Sequence, residues 1–297
     1  MSVLLVSNIT KPEVAVHLQR IQERLDARHV DYQSASGEDL ALAAPSSARL
    51  AAQIEEFELV CSFGGDGTTL RAARAIGLSG VPLLSFNFGN VGFLSGADQP
   101  QMLAALDAAL DGRAEVDQRP LAQVDVVFAN GLELRQFTLN EVAISRGNFG
   151  RIVSLNLYIN DILIDNICGD GVLVSTSTGS TAYALSAGGP LIYPGFGGLV
   201  TVPISPHSLK AWSIVTAPTD CVSIAPHSNN AQSIVAFLDG EVLECPGGGF
   251  CGLEDKPGEP EIASVSVCPG TSPLNLLRYD EYDFYSHISE TFFRNKA

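Results

Sequence analysis

Leu59-Val60-Cys61-Ser62-Phe63-Gly64-Gly65-Asp66-Gly67-Thr68-Thr69-Leu70-Arg71-Ala72-Ala73-Arg74 is the stretch that decides the fold. An apolar run of strand type enters a glycine turn, and the turn opens into a helix-like segment. That order sets backbone N–H groups at a helix N-terminus, where anions bind well. Glycines at 64, 65 and 67 let the chain lie against a phosphate with no Cβ in the way. The acid at the centre has a further task, because a carboxylate beside bound phosphates needs a metal ion between them or a proton to remove. The stretch points to phosphoryl transfer. No Lys follows the glycines, so this is not a Walker-type loop.

Outward from this turn the first part of the chain alternates. Residues 3–7 are apolar and β-branched, and residues 12–28 carry helical spacing at Val14, Leu18, Ile21 and Leu25. A second amphipathic segment covers 47–57, a third helix 68–76, a strand 81–86, and a fourth helix 99–110 entered through Asp98 and Pro100. Such alternation argues for a parallel sheet covered by helices, with ligands off the carboxyl ends of the strands.

After Arg119-Pro120 the texture turns to short strands, at 124–128, 135–144, 153–159, 172–176, 213–216, 222–225, 234–238 and 263–267. Short helices are expected at 180–186 and 206–209, and an exposed hairpin loop at 241–261. Tyr282, Tyr285 and Phe292 fall at helical spacing and predict a terminal helix that packs back on the first domain. The expected division is an α/β domain over 1–118, joined by 280–297, and a mostly β domain over 119–279.

The chain has 297 residues, and 46% hydrophobic content supplies ample core. Seventeen basic against 33 acidic residues give a net charge of -16, which repels nucleic-acid backbones and disfavours a membrane surface. No unbroken apolar run reaches the roughly 18–20 residues of a membrane helix, and the start reads as a buried strand rather than a signal peptide. A cytoplasmic location is expected. Cys61, Cys168, Cys221, Cys245, Cys251 and Cys268 form no C-x-x-C pair, so reduced, mostly packed thiols are expected rather than a disulfide framework or zinc site. Cys245 and Cys251 flank a Pro-Gly-rich bend, and their pairing is left open.

Further segments join the glycine turn. They are Asn87-Phe88-Gly89-Asn90-Val91-Gly92-Phe93-Leu94, Leu139-Asn140-Glu141-Val142, the block from Gly169-Asp170-Gly171 through Ser175-Thr176-Ser177-Thr178-Gly179-Ser180-Thr181-Ala182-Tyr183, Thr201-Val202-Pro203-Ile204-Ser205-Pro206-His207-Ser208-Leu209, and Leu238-Asp239-Gly240. Together, in this order, they resemble the NAD kinase family. The resemblance implies an N-terminal Rossmann-like parallel α/β domain, a C-terminal β-rich, sandwich-like domain, and a site in the cleft between them.

It also implies transfer of a phosphoryl group to the 2′-hydroxyl of the adenosine ribose of NAD. Asp66 is then the general base, and Gly64, Gly65, Gly67 and Thr68 contact the phosphates of ATP or polyphosphate. Mg²⁺ or another divalent cation supplies the missing positive charge. Asn140 and Glu141 hold the acceptor NAD, and Asp170 contacts its nicotinamide end. Phe93, Thr178, Thr181, Ala182, Tyr183 and Ser186 line the acceptor pocket, with Asp66 and Gly67 also touching NAD. A homodimer or homotetramer built through the β-rich half is implied as well. Asp66 as a plain helix cap and Phe93 as plain core are the competing readings.

Cys168, Ser177 and Lys210-Ala211-Trp212 depart from the family pattern. Ser177 stands where Pro is more usual, which is expected to loosen that turn. A lipid kinase of the diacylglycerol or sphingosine type shares the glycine turn but not the segments at 140–141 and 169–183. A catalytically silent nucleotide sensor is the non-enzymatic alternative, and Asp66 argues against it.

Overall fold

The computed structural model describes the chain except residues 43, 45, 89–91, 148–151, 228–233, 244–260 and 295–297. The expected pairing of Cys245 with Cys251 and most of the 241–261 loop lie outside the described residues. The chain divides into two compact units, Met1–Arg119 with Pro273–Ala297, and Pro120–Ser272.

In the first unit the runs read as strands form β1 (Ser2–Ser7), β3 (Leu59–Gly64) and β4 (Leu83–Asn87), while the polar segment β2 (Asp31–Ser36) joins as an edge strand. β5 (Glu115–Arg119) closes the other edge. The helices are α1 (Pro12–Ala27), α2 (Ser47–Ala52), α3 (Asp66–Ile76) and α4 (Met102–Leu110). Pro12 sits in the first turn of α1, where its missing N–H costs nothing. Gly77, at φ 52°, ends α3 in a backbone conformation that few other residues adopt. Val3, Leu5, Cys61, Phe63, Leu84 and Phe86 pack with Val14, Ile21 and Leu25 of α1 and Ala105 and Leu106 of α4. Each large apolar side chain fully buried there contributes roughly 1.5–3 kcal/mol.

The second unit is β throughout most of its length. Its strands are β6 (Ala122–Phe128), β7 (Glu133–Thr138), β8 (Glu141–Arg146), β9 (Val153–Ile159), β10 (Ile162–Gly169), β11 (Gly171–Ser175), β12 (Val200–Ile204), β13 (Ile214–Val215), β14 (Val222–Pro226), β15 (Ile234–Leu238), β16 (Glu241–Val242) and β17 (Ile262–Pro269). They form two antiparallel six-stranded sheets, ordered β10-β9-β14-β17-β6-β7 and β13-β12-β11-β8-β15-β16. β6 alternates buried and half-buried residues, the pattern of a strand with one face on the core. The single strand expected over 135–144 is two, because the chain turns at Leu139-Asn140 between β7 and β8. The short helix expected at 206–209 does not form. Ser205 takes φ 44° and the His207 N–H donates to the Cys168 carbonyl at 2.9 Å, so the segment turns away instead of coiling. α5 (Tyr183–Ser186) follows a 3₁₀ turn, Thr178–Thr181.

The last strand, β18 (Leu274–Arg278), returns to the first unit and lies between β4 and β5, parallel to the former and antiparallel to the latter. α6 (Phe284–Ile288) follows, capped by the Asp283 carboxylate, which accepts from the Tyr285 N–H at 3.1 Å. The return thus begins at Pro273, earlier than the aromatic spacing suggested.

The cysteine expectation is corrected in one place. Cys221 and Cys268 form a disulfide with a Cα–Cα separation of 4.4 Å. They stand opposite each other beside the Val222–Val267 pair of β14 and β17, a juxtaposition made by strand register and hidden by 47 residues of separation. Cys61 is a buried free thiol, and Cys168 is free and exposed. No helix among the described residues is long and apolar enough to cross a membrane.

Candidate active site

In the first unit the glycine turn sits where β3 ends and α3 begins. Asp66 is the first residue of α3 and Gly65 holds the capping position, so Asp66 does not occupy the place of a helix cap. The first amides of α3 have no carbonyl within the helix to meet. A Cβ on Gly64 would lie 2.3 Å from Thr68 Oγ1, so this glycine is required by packing. Thr68 is buried over it, and its N–H donates to the Gly65 carbonyl at 3.0 Å. Gly65 and Gly67 differ, for a Cβ on either would meet no protein atom within 4 Å. Neither packing nor a positive φ calls for glycine at these two positions.

The Asp66 carboxylate lies against the turn after β4. A Cβ on Gly92 would come within 2.2 Å of Asp66 Oδ1, so only a bare backbone fits beside the acid. Asp66 is reachable from solvent, yet the surrounding protein desolvates its carboxyl and raises its pKa, with Arg278 pulling the other way. Phe93, the next residue, packs in an aromatic group, stacked on Phe292 at 5.8 Å and edge-on to His287 at 4.4 Å and Phe284 at 6.4 Å. Its ring is held by the chain's own C-terminal segment.

In the second unit the turn between β7 and β8 is built around a residue to which the sequence reading gave no task. Asp239 Oδ1 accepts from the Asn140 N–H at 2.8 Å, the Glu141 N–H at 3.3 Å and the Thr138 hydroxyl, and the Asp239 N–H donates to the Glu141 carbonyl at 2.9 Å. The match at Leu238-Asp239-Gly240 was the available signal. The Asn140 carbonyl accepts from the Thr176 N–H at 2.9 Å and from Ser175 Oγ at 3.0 Å. A Cβ on Gly179 would lie 2.3 Å from that carbonyl, which explains the glycine within the hydroxyl-rich block. Ser177 does not loosen its turn. Its hydroxyl donates to the Pro194 carbonyl at 2.7 Å, and Ser180 Oγ donates to the Ser177 carbonyl at 2.7 Å.

These bonds bring Asn140, Glu141, Thr178, Thr181, Ala182 and Tyr183 into one neighbourhood. Thr181 Oγ1 donates to the Thr178 carbonyl at 3.2 Å, while Thr178 Oγ1 is buried with no partner among the described residues. Tyr183 and Ser186 are exposed. Asp170 is not among them. It precedes β11, whose far end at Ser175 pairs with Glu141, so roughly 17 Å of strand at about 3.4 Å per residue separates the two. There Asp170 Oδ1 accepts from Arg146 Nε at 3.0 Å.

Glu141 is 6% exposed, and burial pushes its carboxyl up to about 8; Asp239 adds to the rise and the Tyr183 N–H opposes it. The folded chain therefore holds this proton more tightly than an unfolded one. Stability from that grip is full below the ordinary glutamate value and is lost as pH rises toward 8. Glu141→Gln, a neutral isostere, should leave Tm unchanged near pH 4 and raise it by roughly 5 °C or more at pH 9, on the order of 2 kcal/mol at about 2–4 °C each. Thermal melts of both proteins at the two pH values check this.

Comparison with known proteins bears on what these turns do. Residues 3–114 match the family model for the ATP-NAD kinase N-terminal domain, and residues 139–251 that for the ATP-NAD kinase C-terminal domain. An NAD kinase of Moorella thermoacetica is 30% identical over 286 residues, covering 96% of this chain and 87% of the relative. An NAD kinase of Thermoanaerobacter sp. is 37% identical over 185 residues, 62% of this chain and 65% of that one. Among solved structures, yeast NADH kinase complexed with NADH aligns at TM-score 0.81 and 21% identity, covering 100% of this chain and 89% of that chain. An NAD kinase from Archaeoglobus fulgidus in complex with ATP aligns at TM-score 0.70 and 22% identity, covering 94% of each. With the glycine turn, the Asn140-Glu141 turn and both domains matched, the chain belongs to the NAD kinase family, phosphotransferases that convert NAD to NADP.

Proposed function

We propose that this chain phosphorylates NAD at the 2′-hydroxyl of its adenosine ribose, with ATP as donor and Asp66 as general base. One observation carries the reading. Gly65 and Gly67 keep open space beside an acid at a helix N-terminus, although neither packing nor φ requires glycine there. Space kept clear next to free amides suits the phosphates of a nucleotide.

The first unit supplies the chemistry. Asp66 takes the proton of the ribose hydroxyl as its oxygen attacks the γ-phosphorus, and the electron pair of the breaking P–O bond leaves on ADP. The amides that open α3 stabilise charge on the transferring group. The second unit supplies recognition, through the Asn140-Glu141 turn that Asp239 rigidifies and through Thr178, Thr181, Ala182, Tyr183 and Ser186. Asp170 lies apart from that group and is assigned no step.

Among the described residues no group of three or more His, Cys, Asp or Glu side chains is arranged to hold a metal ion. A divalent cation would enter with the donor as MgATP and would supply charge neutralisation on its phosphates. Assembly as a homodimer or homotetramer and a cytoplasmic location remain parts of the proposal, read from the family.

The test is NADP formation by the purified protein from NAD with MgATP or, separately, polyphosphate, reported by an NADP-specific dehydrogenase. Turnover with MgATP is expected. A folded protein that binds NAD yet makes no product with either donor would overturn the proposal in favour of a nucleotide sensor.

A further inference from the structure

Both family models stop short of residues 273–297, yet this segment supplies a buried cation whose field reaches Asp66. Arg278 ends β18 and is 4% exposed. Its Nη2 donates to the Phe93 carbonyl at 3.0 Å, and its Nη1 donates to the Ser95 carbonyl. The neighbouring Tyr279 N–H donates to the Gly96 carbonyl at 3.0 Å, and a Cβ on Gly96 would lie 2.4 Å from the Leu277 carbonyl. The end of β18 thus clasps the turn at 92–96, the same turn whose Gly92 lies bare against the Asp66 carboxylate.

Arg278 shares its bonded carboxylate with a second arginine. Asp117 Oδ2 accepts from Arg278 Nε at 3.0 Å, and also from Arg119 Nε at 2.9 Å and Nη2 at 2.7 Å. Arg119 is 1% exposed, so two buried guanidiniums share one carboxylate. The Tyr282 ring, its centroid 3.9 Å from the Arg278 guanidinium carbon, offers its π face. Other ionisable groups face the same region: Asp98 after β4, Asp280 and Glu281 after β18, and His287 of α6 line a cavity of about 130 Å³ with Arg278 and Tyr282. Burial and Arg278 both lower the His287 pKa, and Glu290 acts in the opposite sense on it.

We propose that Arg278 is a positioning residue for the general base: it fixes the turn at 92–96 against Asp66 and places a fixed positive charge behind that turn. The proposal rests on the reading of Asp66 as base. A base in a desolvating environment loses function when it protonates, and a nearby fixed cation is the direct remedy. Guanidinium suits the task because its planar fork reaches two carbonyls and a carboxylate at once; burial and then Arg119 lower its pKa, and Asp117 opposes them.

The test reads Asp66 itself, without relying on turnover. Full-length protein carrying ¹³C at aspartate carboxyls is titrated by NMR, with the Asp66 resonance assigned by its loss in Asp66→Asn. Arg278→Gln should move the Asp66 midpoint up by roughly one pH unit, and Arg278→Lys should leave it near wild type. In NADP-forming assays the acid limb of kcat should follow by the same shift in Arg278→Gln, with KM for NAD changed less than kcat. An unmoved midpoint in folded Arg278→Gln overturns the proposal, as does an equal shift in Arg278→Lys. Should Arg278→Gln not fold, Asp117→Asn gives the opposite sign, because it frees more of the positive charge and should lower the midpoint; no shift there overturns the proposal too. If the NMR shift occurs in a protein that makes no NADP, the coupling stands and the base assignment falls, so the two ideas fail separately.

Discussion

Asp66→Asn is expected to lower kcat by about 10²- to 10⁴-fold, the range for loss of a general base, with KM for NAD little changed. The substitution keeps the shape of the side chain beside Gly92, where a Cβ would come within 2.2 Å of the acid. It also removes a charge that desolvation disfavours, so the variant should fold at least as stably as the parent at neutral pH. Because burial raises the Asp66 pKa, wild-type activity should fall as pH drops through that raised value, and the fall should vanish from the residual activity of Asp66→Asn. Steady-state kinetics across pH on both proteins reads each point. A parallel rise in KM for NAD would mean that Asp66 holds the substrate instead of taking its proton.

Gly67→Ala should separate stability from activity in opposite directions. Gly67 lies within α3, and its new methyl would meet no protein atom within 4 Å. Alanine is favoured over glycine in a helix by about 1 kcal/mol, so Tm should rise by roughly 2–4 °C. If the open space belongs to a phosphate, the same methyl should cut kcat/KM for MgATP by on the order of 10²-fold, about 2.7 kcal/mol. Melting and kinetics of this one variant decide the matter. A stabilised enzyme with unchanged kcat/KM would show that the glycine is not kept for a ligand.

Much of this was legible in the sequence because the signals were local. The run into Gly64-Gly65-Asp66-Gly67 names its own strand, turn and helix, and α1 shows its buried stripe at Val14, Ile21 and Leu25. What escaped had distant causes. β2 carries Asp31, Gln33 and Ser34 at largely exposed positions and exists because β1 offers it a backbone ladder. β5 is exposed and charged for most of its length, and only its register with β18 makes it a strand. Arg278 gives no local hint of its partners, since Phe93, Ser95 and Asp117 lie far away along the chain. Asp239 was visible as a turn residue, but its grip on Asn140 and Glu141 depends on β15 lying beside β8. The Cys221–Cys268 bond likewise follows from register.

The position of β18 has a consequence for synthesis. It lies between β4 and β5, yet it follows the whole of Pro120–Ser272 in the chain. As the polypeptide leaves the ribosome, the first unit emerges with a gap in its sheet, while the second is complete before that gap is filled. The second unit is thus free to fold first, and the turn that seats Asp66 gains its clasp only when Leu274–Arg278 emerges. Until then the exposed edges of β4 and β5 are open to wrong pairing, and a nascent chain stalled before Leu274 should be a substrate for chaperones rather than for NAD.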